Sequence, residues 1–226
     1  MLAYYEWDWA AAEREFRRAL ALNPSDAGVQ HSYSRYLAST GRHEEAMAEL
    51  KRAQELDPLS LGLKANEGMV RYFAGEYDAA IEQLRKTLEL DSTHAVAHWG
   101  LVLPLEQKGM YGDAESEIQK AIDAGGRDPN FLASLEHVYA AQGKLPAVRR
   151  LLGELDEESK RSYVSPYHAA VLYAALGEKD QAFERLGQAA RERSTLLVYL
   201  RKDPRLEVLR SDPRFQDLLR RVGLPG

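Results

Sequence analysis

Two histidines four residues apart, His94 and His98 in the stretch HAVAH, have the spacing best suited to chemistry in this chain. On a helix that interval stacks both imidazoles on one face, where they could share a divalent metal. No third ligand is indicated nearby, and His98 falls in a column of packing residues described below, so no metal is expected. The acidic clusters Asp156–Glu157–Glu158 and His43–Glu44–Glu45 offer carboxylates. A catalytic pair, however, needs a shared pocket that drives two pKa values apart, and these fall on predicted solvated turns. The paired glycines of DAGGRD, residues 123–128, lack the preceding strand and the Lys-Ser/Thr of a phosphate loop. They read as a connection between helices. No enzyme and no cofactor are expected.

Composition narrows the class further. The 226 residues carry no cysteine, which excludes disulfides and thiolate zinc sites. Apolar residues make up 45% and charged residues 29%, as in a folded soluble chain. No apolar run approaches bilayer length, and MLAYYEWDWA is no secretion signal, so a cytoplasmic protein off the membrane is expected. The net charge of −5 argues against nucleic acid. Arg191–Gly226 departs from this balance, with nine Lys/Arg against five Asp/Glu, which reads as a basic terminal helix with a solvated face.

The elements that must position any site repeat every 34 residues. Gly41, Gly75, Gly109, Gly143 and Gly177 are spaced by that interval. So are the small residues Ala12, Ala46, Ala80, Ala114, Val148 and Ala182. Large residues follow four positions on (Phe16, Leu50, Leu84, Ile118, Leu152, Leu186), then Ala19, Ala53, Thr87, Ala121, Leu155 and Ala189 after three more. Steps of four and three keep these columns on one helical face, where small residues admit a second helix and large ones fill the space between. Each glycine stands where one helix ends in a left-handed residue. Asn23–Pro24 and Asp57–Pro58 close second helices; Pro146 and Pro166 suit first-turn positions. Glu67 and Arg71 occupy places where apolar residues are expected, and their spacing lets them pair across one turn.

This pattern resembles the tetratricopeptide repeat, most strongly in the second-helix stretches AAAEREFRRALALNP, EEAMAELKRAQELDP, DAAIEQLRKTLELDS and GDAESEIQKAIDAGG. The implied fold is an all-α, right-handed α-solenoid of helix-turn-helix repeats with a C-terminal capping helix. Residues 1–26 form a truncated first repeat, mainly its second helix. Residues 27–194 form five consecutive repeats, and residues 195–226 a helical cap. Asp203–Pro204 and Asp212–Pro213 mark two helix starts in that cap, with Leu206, Leu209, Phe215, Leu218 and Leu219 covering the last repeat. At the other end the truncation leaves Tyr4, Tyr5, Trp7 and Trp9 short of a packing partner. The opening YEWDWAAAEREFRRALALNP and the tail together resemble the C-terminal repeat region of bacterial signalling and transcriptional regulator proteins.

The resemblance implies a concave face lined by first helices. In register, its peptide-binding residues would be His31, Arg35, Asn66, Met69, Tyr72, Trp99, Leu103, Gln107, His137, Tyr167 and His168, with Ser32 and Ser134 beside them. Aromatic anchors among a few fixed polar groups suit a peptide or short helix of a protein partner. The Lys/Asn/Arg carboxylate clamp of some family members is absent: only Asn66 matches it, with His31, Arg35, Val96 and Gly100 at its other positions. Pro104, inside a first helix, removes one backbone bond. The expected function is a non-catalytic scaffold within a larger regulatory protein. The alternative is a structural oligomerisation module, a homodimer through the truncated first repeat.

Overall fold

The structure, a computed structural model, describes residues 8–161 and 163–223, apart from the side chains of Pro129 and Leu151. Tyr4, Tyr5 and Trp7 lie outside the described residues. The described residues form twelve α-helices and two 3-10 helices, with no strand among them. A single helix, α1 (Trp9–Leu22), precedes five pairs: α2 (Ala27–Ser39) with α3 (His43–Leu56), α4 (Leu61–Phe73) with α5 (Tyr77–Leu90), α6 (Ala95–Gln107) with α7 (Tyr111–Gly125), α8 (Pro129–Ala141) with α9 (Leu145–Ser159), and α10 (Pro166–Ala175) with α11 (Lys179–Arg191). The 3-10 helices Thr195–Tyr199 and Pro204–Leu209 then lead to α12 (Pro213–Val222).

The 34-residue columns are the joints of this architecture. The five glycines sit at φ between 71° and 85°, a region that a side chain makes costly. Each ends a first helix with the same pair of bonds. Arg42 N–H reaches Leu37 O at 2.9 Å while Gly41 N–H reaches Ala38 O at 3.1 Å, and the other four turns repeat this. The small column is buried throughout, and Leu50, Leu84, Ile118 and Leu186 are fully buried. Glu67 and Arg71 do pair across one turn, at 2.9 Å, and Arg71 also reaches Glu76 at 3.2 Å. Helix α6 runs on through the buried Pro104 to Gln107.

First helices start on a side-chain acceptor. Asp26, Ser60, His94 and Asp128, again 34 apart, each accept a backbone N–H in the first turn. Ser165 does the same for α10, three residues later than the period requires, and α10 has 10 residues where the other first helices have 13.

One close approach fixes a helix spacing. A Cβ at Gly68 would lie 2.4 Å from Leu84 Cγ, and Leu84 is fully buried. Gly68→Ala is therefore expected to lower stability by about 1–3 kcal/mol, the usual cost of overpacking. Urea unfolding followed by circular dichroism measures it, and an unchanged midpoint would show that α4 and α5 can move apart freely.

Candidate functional site

The C-terminal segment does more than cover the last repeat. From α11 it crosses back over the concave side, and the core that buries Leu206, Leu209, Phe215 and Leu218 also contains Trp9, Tyr33 and Tyr36 of α1 and α2. The Tyr199 ring stacks on Phe73 of α4, with centroids 5.1 Å apart and planes 2° from parallel. Arg35 Nη2 on α2 donates to Tyr199 Oη at 3.4 Å. The Trp9 indole N–H donates to the carbonyl of Val222 at 3.0 Å, joining the first helix to the last. Trp9 is thus 7% exposed and packed against Tyr36, which corrects the expectation that it lacks a partner. Its burial also removes it from the contacts available to a dimer. Residues 195–212 are called the closing segment below.

Between the first helices and the closing segment lies a cavity of about 420 Å³. Nine of the expected concave-face residues line it: His31, Arg35, Asn66, Met69, Tyr72, Trp99, Leu103, Tyr167 and His168. Gln107 and His137 do not. Gln107, the last residue of α6, is exposed, and His137 Nδ1 is 2.7 Å from Glu106 Oε1 on the neighbouring helix. Ser134 lines the cavity and Ser32 does not. The half-buried Trp99 is held at one edge by an N–H bond to Ser134 Oγ, 2.9 Å, and by Phe131.

Sequence reasoning missed the wall supplied by the closing segment: Leu196, Tyr199, Asp203 and Arg205. Asp203 was legible only as a helix start, a role it keeps by accepting Arg205 N–H at 3.0 Å. Its carboxylate also accepts from Arg205 Nε and Nη2, at 2.9 and 2.8 Å, and from Tyr167 Oη at 2.9 Å. Burial alone would raise the Asp203 pKa, but the Arg205 charge and these bonds together hold it below the ordinary carboxylate value. Burial, and then Arg205, push His168 down to about 4, and burial, with Arg35, lowers His31. Near neutral pH the cavity therefore presents two guanidiniums, one carboxylate already engaged by four donors, and uncharged imidazoles.

The histidine pair of the HAVAH stretch does other work. His94 Nδ1 caps α6, 3.1 Å from Ala97 N, while the buried His98 lies 2.5 Å from Glu117 and 3.0 Å from Ser92 O. Among the described residues no group of three or more His, Cys, Asp or Glu is placed to hold a metal, and no helix is long and apolar enough to cross a membrane.

Comparison with known proteins agrees with the geometry. A tetratricopeptide repeat family model matches residues 1–60 and 66–129, more than half of the chain. No curated protein matches it in sequence. Among solved structures, the chain is similar to one in the APC/C hetero-tetramer Cut9–Hcn1, with TM-score 0.66 and 18% identity over 97% of this chain; it spans 47% of that one. It is also similar to TTC0263, a thermophilic TPR protein of Thermus thermophilus, with TM-score 0.61 and 17% identity, covering 88% of this chain and 97% of that one. PilW, a type IV pilus biogenesis factor, gives TM-score 0.58 and 16% identity over 89% and 90% of the two chains. At these identities the structures establish a shared fold. The 34-residue period, the glycine-terminated helix pairs and the family match together place this chain in the tetratricopeptide repeat family.

Proposed function

We propose that this chain is a non-catalytic recognition module, which holds a peptide segment of a protein partner in the cavity between its first helices and its closing segment. The fold serves protein–protein interaction generally, and one chain of similar fold is part of the APC/C hetero-tetramer Cut9–Hcn1. The observation that carries the reading is the convergence of Met69, Trp99 and Leu103, from two successive first helices, on one cavity beside fixed polar groups. The resemblance of both chain ends to bacterial regulators supports a place within a larger signalling protein.

Trp99→Ala is the direct test. It removes the largest apolar wall, and truncation of an aromatic anchor typically weakens binding by about 2 kcal/mol or more, roughly thirtyfold. Capture on an immobilised array of short peptides is expected to fall by that factor, while the far-ultraviolet circular dichroism stays that of the parent. Arg35→Ala, at an exposed position, provides a second variant with little risk to folding. Equal capture by all three proteins would place recognition elsewhere on the molecule.

A further inference from the structure

The 3-10 helix Thr195–Tyr199 of the closing segment has two distinct faces, because residues three apart eclipse one another in that geometry. Leu197 and Leu200, three apart, are fully buried and fix the segment to the core. Leu196 and Tyr199, the neighbouring pair, are only half-buried and line the cavity. The backbone of Tyr199 is also held, its carbonyl accepting the N–H groups of Lys202 and Asp203 at 2.9 and 2.8 Å.

The side chain of Tyr199 is held less firmly than its backbone. The ring lies parallel on Phe73 of α4, and its hydroxyl accepts from Arg35 Nη2 of α2 at 3.4 Å, longer than an ordinary hydrogen bond. Other aromatic walls of the cavity are tied down. Tyr167 is fully buried with its hydroxyl 2.9 Å from Asp203, Tyr72 is 3% exposed, and the Trp99 N–H reaches Ser134 at 2.9 Å. Tyr199 can therefore turn outward without stranding a buried polar group. In its present position it covers the ring of Phe73 and meets Arg35, a residue that the 34-residue register assigns to a ligand.

Resting on the recognition reading above, we infer that Tyr199 is an internal occupant of the site. Its ring holds the place of a ligand group on Phe73 and Arg35, and turns out when the ligand enters. The free protein then offers the part of the cavity lined by Trp99, Leu103 and Ser134, and keeps the part beside Phe73 covered. Leu196 stays where it is, because the backbone that carries it does not move. A ligand that displaces the ring gives up one stacked aromatic pair, which lowers its apparent affinity by a factor of about two to ten.

Tyr199→Ala removes the ring and leaves the backbone anchors. Capture on the peptide array is expected to tighten about twofold to tenfold, opposite in sign to the effect of Trp99→Ala. A tyrosine that served only as a wall would weaken capture when truncated. A second measurement uses the parent protein with isotopically labelled tyrosine rings, read by nuclear magnetic resonance. Tyr199 is identified as the signal missing from Tyr199→Phe, and in the free protein the stacked Phe73 ring displaces it upfield. Adding the array peptide captured most strongly should return it to the position of an exposed tyrosine. If Tyr199→Ala loses its circular dichroism, this ring signal decides alone. Equal or weaker capture by a folded Tyr199→Ala, or a ring signal that stays displaced in the complex, overturns the inference and leaves the recognition reading intact. Capture by Tyr199→Ala where the parent captures nothing supports it. No capture by either protein overturns both.

Discussion

Replacing Asp203 with alanine is expected to detach the closing segment from the concave face and to lower stability by about 3–5 kcal/mol, the cost of stranding a buried charge. Arg205, with its side chain 15% exposed, would lose the carboxylate that receives its Nε and Nη2. Tyr167, fully buried on α10, would lose the acceptor of its hydroxyl. The helix Pro204–Leu209 would lose its N-terminal cap at the same time. These losses converge because one side chain caps its own helix, pairs with Arg205 and anchors Tyr167 of α10. Hydrogen exchange monitored by mass spectrometry should show faster exchange across 195–212. It should show little change in α12, whose tie to the first helix runs from Trp9 to Val222 without Asp203. Asp203→Asn keeps one acceptor oxygen, enough for either the cap at the Oδ1 position or Tyr167 at the Oδ2 position, so an intermediate effect is expected. Unchanged exchange in Asp203→Ala would mean that the segment is held by its apolar contacts alone.

That joint also marks the limit of what the sequence discloses. Period and chemistry in the columns specify each helix pair, because the contacts that define a pair lie within one 34-residue unit. Gly41 needs only its own turn, and Ala46 only the neighbouring helix. The same register predicted nine lining residues of the cavity by assigning helical faces. It could not say what crosses those faces. The contacts of Tyr199 with Phe73 and of Trp9 with Val222 span 126 and 213 residues. They depend on how far the array curves, which is the sum of small rotations between units. Gln107 and His137 lie outside the cavity lining for a related reason: a register gives the direction of a side chain, while the end of a helix or a neighbouring carboxylate decides where it settles. The first-turn acceptors were legible but overlooked. Asp26, Ser60, His94 and Asp128 share one column, and that column already gives His94 a task other than metal binding.

The period also exposes a residue that contradicts its place, and changing it is expected to strengthen the protein. The positions equivalent to Glu136 are Ser34, Gly68, Val102 and Ala170, a column of small or apolar residues between packed helices. Glu136 has no exposed surface, and neither carboxylate oxygen has a partner among the described residues. Burial, with a smaller contribution from Glu154, pushes its pKa up to about 9. At neutral pH the folded chain therefore keeps a proton that the unfolded chain, with a glutamate pKa of about 4.3, has released. Folding takes up that proton, so stability falls as pH rises between these two values and is greatest below the lower one. At about 1.36 kcal/mol per unit, the penalty at pH 7 is about 3–4 kcal/mol, the largest single-residue cost identified in this chain. Methionine has a similar length and an unbranched stem, and it removes both the charge and the orphaned oxygens. Glu136→Met should raise stability at pH 7 by about 2–3 kcal/mol, allowing for imperfect packing of the thioether. It should also flatten the decline between pH 5 and pH 9. Glu136→Gln separates the two causes, since it abolishes the titration but leaves a polar group unpartnered. Its pH profile should flatten as well, with a smaller gain at neutral pH. A parent protein whose urea midpoint is constant from pH 5 to pH 9 would show that Glu136 finds a partner or water in solution. A carboxyl group in a column of small residues then loosens α8 at no cost to folding, and the stability of the array is set elsewhere.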